Sequence, residues 1–486
     1  MPTPTDEQAA AARAFQAGDH LAIQAGAGTG KTTTLALLAQ GTPRHGRYLA
    51  YNRAIATDAK RRFPATVTCA TSHSLAYSAL GHRYRDRLNA PRRPAWKTGE
   101  DLGITRIIRV GPHEITPRVL SHSVMSTVTR FCHSAHPTLT TQHVPLLRGL
   151  EAPTLHAELA HHVLPFAQKA WNDLQRPDHG IARFDHDHYL KLWALTHPRI
   201  PVDYLLLDEA QDTNPVVEQV FLNQRDHAQL VMVGDSAQAI YHWRGAKDVM
   251  TTFDATHLTL SRSFRFGPAL AEEANRWLAL ASAPIRLTGT DTIPTGLGTC
   301  TSPAAVLCRT NVGAMSEVLH LLHAGHRTAL VGGGTALRSL ALAARDLKEN
   351  RRTTHPELVL FPHWGAVQDY ASHDPSGAEL QPLVDLVDRH GTETIMAAID
   401  QLTDETHAQV TVSTAHKAKG REWTSVRIAN DFTPPKDTDT RDEKGNPVPG
   451  PVDEAEARLA YVAVTRARHH LDRGSLAWID NHPDSQ

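Results

Sequence analysis

The sequence predicts an α/β protein built from two parallel-sheet cores, each carrying a mainly helical insertion. Three observations lead there. Short apolar runs alternate with helical stretches, as in strand–helix–strand units. The alternation occurs twice along the chain, and each time a segment without strand character interrupts it. At roughly 150 residues per folding unit, 486 residues leave room for about three units.

In the first series, His20–Ala25 reads as a strand, followed by a glycine-rich turn and a helix from Lys31 to Gln40. Tyr48–Tyr51, Val67–Ala70, Tyr204–Leu207 and Leu230–Val233 read as further strands. Residues 82–200, rich in His and Arg, form the insertion. The second series places strands at Leu258–Leu260, Ala305–Cys308, Thr328–Val331, Gln409–Ser413 and Ser425–Ala429, with helices at Ala269–Leu280 and Ala314–Ala324. Residues 350–405 break this series as a short helical insertion. Pro434–Pro451, studded with Pro and Gly, reads as a surface loop, and Asp453–Ala467 as a closing helix. The expected division is 1–81 with 201–256 for the first core and 82–200 for its insertion, then 257–349 with 406–486 for the second core and 350–405 for its insertion.

Composition narrows the class. Hydrophobic residues at 41% and charged residues at 21% suit a globular chain. No uncharged apolar run approaches the roughly 18 residues needed to span a bilayer, and Met1–Gln8 carries no secretory signal. Cys69, Cys132, Cys300 and Cys308 are scattered without a CxxC pair, which fits reduced thiols in a cytoplasmic protein better than disulfides or zinc. The net charge of −1 does not point to nucleic acid, but Arg83–Arg118 holds a local basic excess. That segment reads equally as a phosphate-contacting surface and as a solvated face.

Ala25-Gly26-Ala27-Gly28-Thr29-Gly30-Lys31-Thr32 follows a strand and opens a helix. Its small residues let backbone N–H groups curl around phosphate oxygens. Lys31 can then reach the β- and γ-phosphates, and the Thr32 hydroxyl can ligate Mg²⁺. Leu205-Leu206-Leu207-Asp208-Glu209 delivers two carboxylates from the end of a buried strand, where α/β sheets bind ligands. Asp208 would hold Mg²⁺, and Glu209 would orient or deprotonate the attacking water. A third segment, Gly234 to Ala246, adds Gln238 as a γ-phosphate sensor and Tyr241, Trp243 and Arg244 as faces on which bases stack. Together these point to an ATPase that handles single-stranded nucleic acid. His186-Asp187-His188 with Asp185 has metal-ligand residue types, but no second cluster at suitable spacing, and is not read as a metal site.

With these segments in order, the chain resembles the UvrD/Rep-like superfamily-one DNA helicases over residues 5 to about 470. The resemblance extends to Thr5–Gln8, Ser263-Phe264-Arg265, Ser413 to Trp423 and Ala460 to Ala467. It implies two RecA-like cores of the P-loop NTPase fold, with Gln8 reading adenine, Phe264 stacking on it and Glu422 near the ribose. It also implies that Arg265 and Arg466 of the second core meet phosphates held by Lys31 and Mg²⁺ on the first. Thr414, His416 and Lys417 are expected at DNA. Thr33 stands where the group often has an Arg that sandwiches adenine, which leaves adenine to Gln8 and Phe264. Leu49–Ala56, Thr71–Ala76 and His186–Trp193 are most similar to the F-box DNA helicase branch, and add Tyr51, Asn52, Thr71 and His73 as DNA candidates. Gln8 stands near the start, so the F-box itself, and its partner-recruiting role, are not expected. The resemblance implies an ATP-dependent motor moving 3′→5′ on single-stranded DNA or at single/double-strand junctions, without membrane partners. The insertion at 350–405 is shorter than in the larger enzymes of the group, so a translocase that displaces proteins with little unwinding is the alternative.

Overall fold

The computed structural model describes residues 3–91, 93–147, 149–240, 249–359, 361–373, 380–441 and 445–485. Their folding begins with an N-terminal helix, Asp6–Ala17, whose first turn closes as a capping box between Thr5 and Gln8. The first sheet is assembled from β1 (Leu21–Ala25), β2 (Gly46–Ala50) and β3 (Val67–Thr71). An antiparallel hairpin, β4 (Ile108–Val110) and β5 (His113–Ile115), belongs to the insertion and not to this sheet. The sheet is completed by β6 (Tyr204–Leu207), β7 (Gln229–Gly234) and β8 (Thr256–Leu260), in the order β3-β2-β6-β7-β1-β8. The pairings of β3, β2, β6, β7 and β1 are parallel. Every residue of β6 and β7 is buried, which explains why these strands are continuous apolar runs without alternation.

The insertion is held by the long helices Pro117–His133, Pro153–Leu174 and His186–Ala194. Its interior contains unusual polar groups. Arg87 is buried, and its guanidinium donates to the carbonyls of Asp173, Arg176 and Ala182 and to the Asp173 carboxylate. Lys191 donates to the carbonyls of Ser134 and His136, both at 2.7 Å, and lies over the Phe131 ring; burial lowers its pKa to about 8.

The second sheet consists of β9 (Gly296–Leu297), β10 (Ala305–Cys308), β11 (Thr328–Leu330), β12 (Val410–Thr414) and β13 (Trp423–Ile428). After a separate hairpin of β14 (Asp437–Arg441) and β15 (Pro447–Pro449), β16 (Ala467–Asp472) joins it. The order is β11-β12-β10-β13-β16-β9, parallel throughout. The chain forms two compact units: the described parts of 1–24, 31–235 and 241–260 in one, and those of 25–30, 236–240 and 261–486 in the other. Each contains one of the two RecA-like sheets.

Two expectations change. The strand expected to open the second series pairs instead at the edge of the first sheet, beside β1. Its apolar residues are the same in either sheet, and the backbone bond from Thr256 to His20 O, 2.8 Å, selects the first. Pro434–Pro451 contains the hairpin β14–β15, with Pro447 at the first position of its strand, where a missing N–H is tolerated. The helices of 350–405 share one apolar cluster with the helices Asn311–His323 and Thr335–Lys348, through Leu347, Val367, Val387 and Ile399. Among the described residues, no helix is long and apolar enough to cross a membrane.

His143 supplies a pH-sensitive element. It is buried, and its Nδ1 accepts the Thr140 N–H at 2.9 Å, which leaves the ring proton on Nε2 facing Ser134 Oγ at 3.0 Å. Burial first, and the neighbouring His136 second, lower its pKa to about 4. A histidine with a depressed pKa binds fewer protons folded than unfolded between about 4 and 6.5, so stability falls on acidification through that window. Thermal melts of the wild type should therefore lose midpoint steadily from pH 6.5 to pH 4. A His143→Gln variant should show a flatter slope across the same range.

Candidate nucleotide and DNA sites

In the first unit, β6 ends at the carboxylate pair. Asp208 is 3% exposed and accepts three hydrogen bonds: Thr32 Oγ1 and Tyr48 OH on Oδ2, each at 2.7 Å, and the Glu209 N–H on Oδ1 at 2.9 Å. Burial and then the charge of Glu209 raise its pKa, against the two hydroxyls and Lys31. Lys31 Nζ lies 3.8 Å from Glu209 Oε1, and Gln211 Nε2 donates to Glu209 Oε2 at 2.7 Å. Gln211 is itself fixed because its Oε1 accepts the Asp235 N–H at 2.9 Å. Glu209 adopts φ 52°, a left-handed conformation that costs a non-glycine residue on the order of 1–3 kcal/mol and turns the chain sharply at the strand end.

This donor set fits a magnesium ion. Hydroxyl and carboxylate oxygens are the ligands that a small hard cation prefers. Thr32 and Asp208 already meet at hydrogen-bond distance, and the adjacent like charge that raises Asp208 is what a divalent cation would relieve.

The second unit includes the loop 25–30 and residues 236–240. Gly28 and Gly30 adopt φ +76° and +82°. Thr29 Oγ1 donates to Gly26 O, the Ala27 N–H donates to Tyr461 OH at 2.9 Å, and the Phe264 N–H donates to Gly28 O at 2.8 Å. Arg466 is 1% exposed: Nε donates to Val462 O at 2.8 Å and Nη2 to Thr465 Oγ1 at 3.0 Å and Gln238 Oε1 at 3.4 Å. The backbone carbonyl of Gln238 also accepts from Lys419 Nζ. Arg265 donates through Nε to Glu422 Oε2 at 2.8 Å and through Nη1 to Thr465 O at 2.9 Å. Phe264 is 48% exposed, as a stacking face requires.

The adenine and ribose candidates are placed less simply. Gln8 uses its carbonyl oxygen to cap its own helix and its Nε2 to reach Thr34 Oγ1 at 3.1 Å. Glu422 pairs with Arg265 and also lies 3.6 Å from Arg468. Thr33 is exposed on the helix Lys31–Gln40.

The DNA candidates fall into three groups. Ala50 and Thr71 are register partners, so Tyr51, Asn52, Thr71 and His73 cluster at neighbouring strand ends. Tyr51 is 49% exposed. Asn52 and Thr71 cap the helices Arg53–Ala59 and Ser72–Ala79, while His73 Nε2 meets Asp187 Oδ1 at 2.9 Å. Asp187 also meets His133 at 2.9 Å. Burial alone would raise its pKa, but the two imidazoles hold it well below the usual carboxylate range. In the second unit, Thr414 caps the short helix Ala415–Ala418, which carries His416 and Lys417; burial lowers the pKa of both. Tyr241, Trp243 and Arg244 lie outside the described residues.

A family profile described as the UvrD/REP helicase N-terminal domain matches residues 5–256, and one described as the UvrD-like helicase C-terminal domain matches 344–472. The chain belongs to the UvrD/REP helicase family. It is 28% identical over 492 residues to F-box DNA helicase protein 1 of Schizosaccharomyces pombe, covering 93% of this chain and 55% of that one. It is 28% identical over 496 residues to F-box DNA helicase 1 of Gallus gallus, covering 94% and 47%. ATP-dependent DNA helicase UvrD2 of Mycobacterium tuberculosis is 28% identical over 346 residues, covering 56% and 47%. The chain thus spans about half the length of the curated relatives it matches.

For this UvrD/REP-family chain, sequence reasoning missed Tyr48, Gln211, Tyr461 and the Asp187–His133 pair. Gln211 lies two residues from Glu209 and was within reach of a local reading. Tyr48 and Tyr461 act at residues far from them in the sequence, and no spacing announces such contacts.

The loop geometry makes Gly28 critical. A Cβ there would come within 2.6 Å of both Arg265 Cβ and Ser263 Oγ, at a φ that already disfavours side chains. Gly28→Ala should weaken binding of a fluorescent ATP analogue by about tenfold or more, roughly 1.4 kcal/mol. Gly18→Ala is the control: its φ is +93° but nothing lies within 4 Å, so it should lower stability by about 1 kcal/mol and leave nucleotide affinity unchanged.

Proposed function

We propose that the chain is an ATP-dependent DNA helicase that moves 3′→5′ on single-stranded DNA, engages single/double-strand junctions, and serves DNA repair, recombination or replication. The observation that carries this reading is the cluster in which Lys31, Thr32, Asp208 and Glu209 converge within hydrogen-bonding or ion-pairing distance. Lys31 neutralises β- and γ-phosphate charge. Magnesium, when bound through Thr32 and Asp208, supplies further neutralisation of the phosphates. Glu209 is held at Oε2 by Gln211 and presents Oε1 to orient the attacking water or accept its proton. Arg265, Arg466 and Gln238 act on the phosphates as the family likeness implies, and Phe264 offers its exposed ring to adenine. Tyr51 offers a base-stacking face at the end of β2.

The names of the relatives support DNA as the substrate, since each of the three is called a DNA helicase. A second reading, a translocase that strips proteins from single-stranded DNA with little unwinding, draws on the 350–405 segment. Its helices pack into the apolar core of the second unit, which argues for a structural role there.

ATP hydrolysis should be strongly stimulated by single-stranded DNA and weakly by RNA. Glu209→Gln should lower kcat by about a hundredfold or more with little change in nucleotide affinity. Hydrolysis indifferent to DNA would overturn the motor reading. Displacement of streptavidin from a 5′-biotinylated strand but not a 3′-biotinylated one would support the polarity, and unwinding of a 3′-tailed duplex separates helicase from plain translocase.

A further inference from the structure

Tyr48 has no place in the readings above, yet it touches the centre of the cluster. Its side chain is fully buried on β2, and its register partner on β6 is Leu206. Asp208 lies two residues beyond Leu206 and therefore on the same face, at the diagonal position that a long side chain reaches. The ring packs on Phe63, with centroids 4.7 Å apart. The hydroxyl donates to Asp208 Oδ2 at 2.7 Å, the same oxygen that receives Thr32 Oγ1 at 2.7 Å.

A buried tyrosine hydroxyl usually finds some partner, and a core role would need nothing more. The choice of partner is the informative part. Thr32 already satisfies Oδ2, so Tyr48 is not needed to rescue a stranded oxygen. A carboxylate offers about four acceptor positions. Two on Oδ2 are taken by the hydroxyls, and one on Oδ1 is taken by the Glu209 N–H. One position remains, on Oδ1.

We propose that Tyr48 is a positioning residue for the metal–nucleotide. By closing Oδ2, it fixes the carboxylate plane of Asp208 and leaves Oδ1 as the oxygen available to the metal. The Thr32 hydroxyl, its proton committed to Asp208, keeps its lone pairs for the same ion. Without the Tyr48 hydroxyl, Oδ2 has a vacant acceptor position and the carboxylate can turn about its terminal torsion. The inference rests on the nucleotide reading above.

The test is Tyr48→Phe, which keeps the ring on Phe63 and removes only the hydroxyl. Affinity for fluorescent N-methylanthraniloyl-ADP is measured with Mg²⁺ and with EDTA, for the variant and the full wild-type chain. The expected result is a fall of about three- to tenfold in the ratio of the two affinities, with the EDTA value unchanged within about twofold. The half-saturating Mg²⁺ concentration for ATP hydrolysis should rise by a similar factor, while KM for ATP at saturating Mg²⁺ stays near wild type. A misfolded or loosened variant would lose affinity in parallel with and without Mg²⁺, and that outcome overturns the proposal. An unchanged ratio overturns it as well, while leaving the nucleotide reading intact. A wild type whose nucleotide affinity ignores Mg²⁺ overturns both.

Discussion

A buried carboxylate at the end of a central strand is the constraint around which the first unit is arranged. Removing a charged oxygen pair from water costs several kcal/mol unless donors replace the lost solvent. Asp208 recovers part of that loss from three donors, and each comes from a different part of the chain. Thr32 is delivered by the helix that starts after the glycine-rich loop, Tyr48 by the neighbouring strand, and the Glu209 N–H by the turn at the strand's own end. The parallel order β2-β6-β7-β1 brings these together, because it aligns the carboxyl ends of the strands. A change in register by one residue would turn Tyr48 to the other face and leave the hydroxyl without its acceptor.

The same logic of satisfying buried charge governs the second unit, with the sign reversed. Arg466 is almost wholly buried and donates to the carbonyls of Val462 and Arg421, the Thr465 hydroxyl and the Gln238 side-chain oxygen. Neutral dipoles of this kind hold a guanidinium in a fixed orientation. Arg265 is paired with Glu422, which partly cancels its charge.

The insertion of the first unit shows how half-buried polar groups tie a candidate DNA-contacting segment to its support. Asp187 on the helix His186–Ala194 binds His73 on the helix after β3 and His133 at the end of a long insertion helix. A shift of that helix would therefore be felt at His73.

The sequence by itself determined the nucleotide loop, the carboxylate pair, most strand positions and the family. These features are local: a glycine-rich turn between a strand and a helix, or an apolar run ending in Asp-Glu, has its meaning within a few residues. What depends on side chains from distant strands was decided only in the tertiary structure. β8 carries the same alternation whichever sheet it joins, so its place beside β1 follows from backbone pairing. Gln8, Asn52 and Thr71 match family motifs, yet each also caps a helix, a use visible only once the caps are formed. Tyr48 is an ordinary strand residue until register sets it beside Asp208, because hydrogen bonds of 2.7 Å are specified by the packing of strands and not by distance along the chain.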